Sequence, residues 1–407
     1  MNLLLKNVLC GKNETLSPID IRLKKGRITA MESGLLPQRQ EKVVNGHGYF
    51  ALPGLINAHD HLELNLFARL GNPPYANFYR WAADIYHPES SPLKEILSVP
   101  LRERLLWGAF KNLLSGVTTV VHHNPLFPPL KSRIFPLKVL RKYGWEHSLG
   151  HGKDIAGAFR RAGKKPFIIH AAEGIDQSSG REIDRLDSLG VLAANTVLVH
   201  GVAIEKRHDV LLTKRRPALV WCPASNQFLF GKTADIGRLG KFLKVALGTD
   251  STLSGSPSLL DELRAARQTG RATPSELLEM VTTIPAEIFQ LGDGRGRLTV
   301  GGSGDVLLIP ASALTAAESL VKTHAGEIGL VLIDGQPRFA TQDFLEPLGL
   351  PDANIRIAGQ AGWLYGNPGA VNAEINHHVD ESLLNRNPLY HRWEIVPTHL
   401  IREKIVT

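Results

Sequence analysis

Short apolar runs alternate with helix-like stretches through the middle of the chain. Residues 1 to 50 read differently. "NLLLKNVLC", "IDIRLKKGRITAME" and "EKVVNGHGYFALPG" show partial period-two alternation punctuated by Gly and Asn, which predicts strands and turns. The same texture returns at "GRGRLTVGGSGDVLLIP" and "EIGLVLIDGQPRFA", within residues 294 to 340. Between these flanks, "PLRERLLWGAFKNLLSG", "REIDRLDSLG", "SLLDELRAARQTG" and "SELLEMVTTIPAEIFQL" carry helical spacing, each set off by a brief apolar run. Strand–helix alternation of this kind predicts parallel βαβ units. The expected fold class is therefore α/β: a (β/α)8 TIM-like barrel over 51–293 and a small β-sandwich domain from 1–50 and 294–345. A C-terminal extension over 346–407 fits neither texture.

The polar residues at the ends of the apolar runs carry the chemistry. "ALPGLIN" leads to His59 and His61, and "VTTVV" leads to His122 and His123. "PFII" leads to His170 with Glu173 three residues on, and "NTVLV" leads to His200. "PALVWC" leads to Ser225 and Asn226, and "KVALGT" to Asp250. In a (β/α)8 barrel the C-terminal strand ends converge on one mouth, where the active site sits. Residues i and i+2 of a strand face the same way, so His59 and His61 project together, either as half of a metal site or as hydrogen-bonded strand-end residues. Neighbours on a strand face opposite ways, so at most one of His122 and His123 is expected to reach the mouth. Ser225 and Asn226 are candidates for holding substrate or for capping the next helix.

Composition changes little in this picture. With 407 residues, 43% hydrophobic and 21% charged, the chain can bury a large core. The formal charge of +8 comes from scattered Lys and Arg without interleaved aromatics, so nucleic-acid binding is not expected. A mildly positive field favouring anionic substrates is the most that charge suggests. Cys10 and Cys222 are too few for a disulfide framework or a thiolate metal cage, and Cys222 reads as a buried small hydrophobe. No secretory signal or membrane-spanning run is evident, which makes a cytoplasmic protein without membrane partners the expectation. His377 and His378 read as surface residues.

Taken together, "PGLINAHDH", "GVTTVVHHN", "IHAAEG", "LVHGV", "CPASN" and "ALGTDS" resemble, in order, the motifs of the amidohydrolase superfamily. The similarity is to its metal-dependent branch of cytosine, guanine and triazine deaminases. The resemblance implies His59, His61, His170 and Asp250 as ligands of one Zn2+ or Fe2+ ion. It further implies Glu173 as proton shuttle, Asp250 as the acceptor of the water's proton, and His200 as the group that orients the nucleophile or polarises the attacked carbon. A bound dication lowers the pKa of its water to about 7 and so supplies hydroxide. Residues 125 to 165 hold no apolar run ending in lysine, which favours one metal over two.

The implied activity is hydrolysis of a non-peptide C–N bond in a small molecule, foremost deamination of an aminated heterocycle. Ring opening of a cyclic amide or imidazolone is the alternative, and a catalytically silent binding protein the second. A silent relative is expected to have lost ligands or proton-transfer residues, whereas all six are present here. A homodimer is compatible with this reading.

One interval departs from the pattern. About forty residues separate His123 from Pro166, too few for three helices and two strands, so one β/α unit is expected to be reduced. Four prolines in "NPLFPPLKSRIFP" exclude a regular helix there, "LKVLRKYGWEHSL" supplies a strand, and "KDIAGAFRRAGKK" a helix. Something else then covers the mouth. The segment after the first strand, with Tyr75, Phe78, Tyr79, Trp81 and Tyr86, offers flat apolar surface for a planar ring and is preferred over the tail, with Trp81 as substrate contact.

Overall fold

The computed structural model describes residues 1–11, 17–390 and 392–396. The extension over 346–407 is therefore described only in part, because residues 391 and 397–407 lie outside the described residues. Eight central strands run parallel in two sheets. The first holds β1 (Leu55–Asp60), β2 (Val117–His122) and the two-residue β3 (Lys138–Val139). The second holds β4 (Gly144–Ser148), β5 (Phe167–Ala171), β6 (Thr196–His200), β7 (Ala218–Trp221) and β8 (Val245–Leu247), paired in chain order. Every residue of β1, β2, β5, β6, β7 and β8 is buried, as expected of parallel strands covered on both faces.

The ladders do not join into a closed ring. At one seam, just past β8, the Asp250 amide donates to the His59 carbonyl at 3.1 Å. At the other, the Tyr143 hydroxyl donates to the His122 carbonyl at 2.6 Å, and His123 Nε2 lies 3.1 Å from the Glu146 carbonyl. Side-chain and single backbone contacts thus hold together what strand pairing leaves open.

Residues 124 to 165 differ from the expectation of a single strand. They contain two, β3 and β4, joined by only residues 140–143 and no helix. A 3-10 turn, Pro128–Lys131, stands between β2 and β3, where the prolines preclude a longer helix.

Five helices matter for the site. They are α1 (Phe78–Ile85), α2 (Leu101–Leu113), α3 (Ile155–Ala162), α4 (Pro223–Phe230) and α5 (Leu259–Gln268). Side chains cap three of them at the N-terminus: Asn77 accepts from the Arg80 amide, Asp154 from Gly157 and Ser258 from Asp261. α2 is nearly all buried, Lys111 and Asn112 included.

The flanks meet in one mixed sheet of eleven strands, in which Tyr49–Pro53 pairs antiparallel with Val306–Pro310. The sheet extends into the tail through Ile355–Ile357, Gln360–Leu364 and Trp393–Ile395. Among the described residues no helix is long and apolar enough to cross a membrane.

The β8–β1 seam makes a sharp demand on one glycine. A Cβ on Gly248 would stand 2.6 Å from the His59 Cβ and 2.8 Å from its amide nitrogen. Gly248→Ala should destabilise the protein by about 1–3 kcal/mol, because the neighbour is backbone that cannot step aside. Urea unfolding measures this, and an unchanged midpoint would mean the seam is looser than these distances.

Candidate active site

The strand ends converge. His59 Nε2 and His170 Nε2 face one another at 3.2 Å, and Asp250 Oδ1 lies 3.8 Å from His59 Nε2 and 3.7 Å from His61 Nε2. Two overlapping triads, His59–His61–Asp250 and His59–His170–His200, each bring donor atoms within 4.8 Å of one another. His200 thus stands near the ligand cluster as well as beside Glu173. Its Nε2 lies 3.5 Å from Glu173 Oε1.

Backbone conformation aims two of these groups. His200 and Asp250 have φ of 75° and 54°, left-handed values that non-glycine residues adopt at a cost. Such strain persists only where surrounding contacts enforce it. Around Asp250 they do: Oδ2 accepts from the Ser225 and Ser254 hydroxyls at 2.9 Å each, and Oδ1 accepts from the Ser251 amide at 2.8 Å.

The electrostatics suit a cation. Burial, joined by mutual repulsion among the imidazoles, pushes His59 and His170 well below the ordinary histidine range, and burial pushes His61 down to about 3. All three are neutral and ready to donate lone pairs. Burial alone would raise Asp250, but His61 and His200 with the Ser225 and Ser254 hydroxyls hold it below its usual value. Glu173 moves the other way, since burial and then the Asp250 charge drive it well above the normal carboxylate range. His170 Nδ1 donates to the His147 carbonyl at 2.7 Å, which leaves the Nε2 lone pair directed at His59. Facing lone pairs beside an ionised carboxylate need a positive partner. Three imidazole nitrogens and one carboxylate oxygen form a donor set for a first-row divalent ion.

Other expected residues stand elsewhere. Ser225 and Asn226 are fully buried behind the ligands and do not line the cavity. Ser225 holds Asp250, while Asn226 Oδ1 accepts from His200 Nδ1 at 2.8 Å and its Nδ2 donates to Thr233 at 3.2 Å. Sequence alone makes both candidates for holding substrate or capping the helix; here their side chains contact Asp250 and His200 instead. His122 and His123 also fall outside the lining: His123 stacks on His170 with ring centroids 4.2 Å apart, and His122 Nδ1 lies 3.8 Å from Glu63. Local packing, with the ring of His170 already filling the mouth side, explains why neither neighbour reaches it.

The cavity above the ligands has a volume of about 670 Å3. Helix α1 forms one wall, with Phe78, Tyr79, Trp81 and Ile85 among its lining residues. The Phe78 ring lies 6.3 Å from that of His170 with the planes 2° apart. Trp81 lines the cavity and anchors its indole N–H on the Leu70 carbonyl at 2.9 Å. His147, at the end of β4, also lines the cavity. It is absent from the residues expected from sequence, although "GWEHS" obeys the same strand-end rule.

A second omission lies beneath the ligands. Lys111 on α2 is fully buried, and its Nζ donates to Asn65 Oδ1 (2.7 Å), Thr249 Oγ1 (3.1 Å), the Asp250 carbonyl (3.1 Å) and Asp60 Oδ2 (3.3 Å). Asp60, between the two ligand histidines, also accepts from Asn112 at 2.8 Å, Asn65 at 2.8 Å and Asn57 at 3.2 Å. The available signal was a lysine and an asparagine inside the apolar helix "WGAFKNLL".

Comparison with known proteins agrees with this geometry. Residues 150–338 match the model of the amidohydrolase family. It is 34% identical over 145 residues to a probable guanine deaminase of Schizosaccharomyces pombe, covering 32% of this chain and 28% of the relative. A 5-methylthioadenosine/S-adenosylhomocysteine deaminase of Natronomonas pharaonis is 23% identical over 345 residues, covering 69% and 78%. The chain thus spans under a third of the length of the guanine deaminase relative. In fold, it is similar to a zinc-bound adenosine deaminase of Xanthomonas campestris (TM-score 0.68, 17% identity, 92% and 97% covered). A triazine hydrolase variant gives TM-score 0.73 at 17% identity, with 92% and 99% covered.

Removing the buried ammonium leaves Asp60 charged and unpaired. Lys111→Met should cost about 3–5 kcal/mol of stability and weaken zinc binding by roughly tenfold or more, as loss of outer hydrogen-bond partners does. Lys111→Met with Asp60→Asn should recover part of both. Denaturant melts and competitive zinc titration measure them, and an unaltered zinc affinity in the single variant would detach the pair from the site.

Proposed function

We propose that the chain is a metal-dependent hydrolase that deaminates an aminated heterocycle. The observation that carries this is the meeting of His59, His61, His170 and Asp250 with the Glu173–His200 pair at the floor of one cavity. His59, His61, His170 and Asp250 would hold one divalent ion, Zn2+ or Fe2+, which when bound supplies a water acidified to a pKa of about 7.

The chain's own groups then have distinct tasks. Asp250 Oδ1, ionised and directed at the ligand nitrogens, accepts the proton of the attacking water. Glu173, kept protonated by burial, gives its proton to a ring or leaving nitrogen. His200 is held by Asn226 with Nδ1 as donor, so Nε2 presents a lone pair toward Glu173, from where it would orient the nucleophile or polarise the attacked carbon. Water adds to the carbon, the C–N bond breaks, and ammonia leaves with a carbonyl product. Ring opening uses the same groups but keeps the nitrogen attached, so ammonia release separates the two readings.

The same proposal reads the eight parallel strands as a (β/α)8 barrel over 51–293 with one reduced β/α unit. Support comes from the chain-order pairing and from the helix-free link between β3 and β4. The flanks, expected as a small β-sandwich, instead share one mixed sheet, to which the tail strands attach.

Purified protein should contain about one transition-metal ion per chain, and His170→Ala should lose most metal and activity together. Glu173→Gln keeps the shape but carries no proton, so metal content should persist while kcat for ammonia release falls at least about a hundredfold. Elemental analysis beside an ammonia assay over aminopurines, aminopyrimidines and aminotriazines tests both. Near-normal turnover in Glu173→Gln would assign the shuttle to another residue, and two tightly held ions would overturn the mononuclear site.

A further inference from the structure

The chain is basic overall, yet the cavity above the ligands is not. Among the described residues that line it there is no lysine or arginine. Its carboxyl groups, Glu173 and Asp250, lie at the floor, and Glu182 stands behind Tyr79. The wall supplied by α1 presents Phe78, Trp81, Ala82, Ala83 and Ile85.

Several polar atoms of this wall are already engaged. The Tyr79 hydroxyl accepts from the Gly150 amide at 2.9 Å and donates to Glu182 Oε1 at 3.2 Å. The Trp81 indole N–H is on Leu70, and Asn124 Nδ2 is directed to Glu63 and His61. Beyond the ligand cluster and its proton-transfer groups, His147, His151, Ser251 and the exposed Tyr86 at the end of α1 remain as polar contacts. Away from the metal-binding floor, an anionic substituent would lose its hydration without gaining a lysine or arginine among the described lining residues. An alkyl or aryl group would instead bury surface on α1.

We propose that the cavity selects uncharged heterocycles bearing an apolar side group, read by α1, and rejects those bearing a carboxylate or phosphate. This specificity rests on the deaminase reading for its reaction, but not for its recognition. The local wall therefore reverses what net charge alone suggests about anionic substrates.

The test uses the metal-loaded full chain and matched pairs on three rings: aminopurine, aminopyrimidine and aminotriazine, each with an n-propyl or a 2-carboxyethyl group on ring carbon or, for purine, N9. Adenosine is the polar neutral control. Ammonia release gives kcat/KM, and calorimetry with the corresponding oxo compounds gives binding. On at least one ring the propyl member should exceed its carboxyethyl partner by about a hundredfold or more, and 9-propyladenine should exceed adenosine. Ala83→Lys, at an exposed lining position of α1, should raise the carboxyethyl member about tenfold relative to propyl. If no compound turns over but the oxo compounds bind in the expected order, deamination fails and the specificity stands. Equal or better handling of the carboxyethyl members, or no binding of any propyl compound, overturns the specificity.

Discussion

A buried ammonium–carboxylate pair, Lys111 with Asp60, holds the two halves of the candidate metal site in register. Asp60 lies between the ligand histidines of β1, while the Lys111 ammonium also grips the carbonyl of Asp250 beyond β8. Strand pairing does not bridge that seam, so these contacts and the Asp250 amide bond to His59 take its place. Burying two charges is costly unless every donor and acceptor is met. Here Asn57, Asn65, Asn112 and Thr249 complete the shell, and the strained backbone of Asp250 is held within it.

The network above that pair has the opposite character. Its imidazoles are neutral, its lone pairs converge, and its single ionised group is Asp250. A positive ion would be attracted there, while the Lys111 charge beneath is already engaged by Asp60 and the Asp250 carbonyl. This division keeps a fixed cation from competing with a bound one. It also explains the separate fates of two carboxyls in one cavity: hydroxyl and amide donors surround Asp250, whereas Glu173 Oε2 has no hydrogen-bond partner. Under the proposed reaction, environment rather than residue type would make one the base and the other the acid.

The convergence of these side chains was legible because parallel strands impose a simple rule: a polar residue placed at the end of an apolar run sits near the mouth. His59, His61, His170, His200 and Asp250 obey it. The rule fails where backbone leaves the strand early or a neighbour fills the space. Asn226 sits one turn into α4 and reaches back to His200, and His123 is screened by the ring of His170. Lys111 was hidden for another reason, since its partner lies 51 residues away and helical periodicity does not reveal a long-range ion pair. The short link between β3 and β4 was visible as missing length, but not as a second strand, because two residues of ladder leave almost no pattern.

That missing helix bears on how the cavity is closed. With little structure over β3, the aromatic segment after β1 supplies the wall, and its attachments show how. The Phe78 amide donates to the Glu173 carbonyl at 3.0 Å, the Ile175 amide to the Ala76 carbonyl at 2.8 Å, and Asn77 Nδ2 to Asp176 at 2.6 Å. Tyr79 extends the contact to Gly150 beyond β4. The start of α1 is thus stitched to the same loop that carries the proton-transfer carboxyl. Under the proposed specificity, a side group pressed against α1 would bear on the backbone of Glu173, so recognition of the substituent and placement of the proposed acid would share one set of hydrogen bonds. Under the proposed function, binding energy gained on the apolar wall would be expressed in catalysis, because α1 is hydrogen-bonded to the loop that carries Glu173.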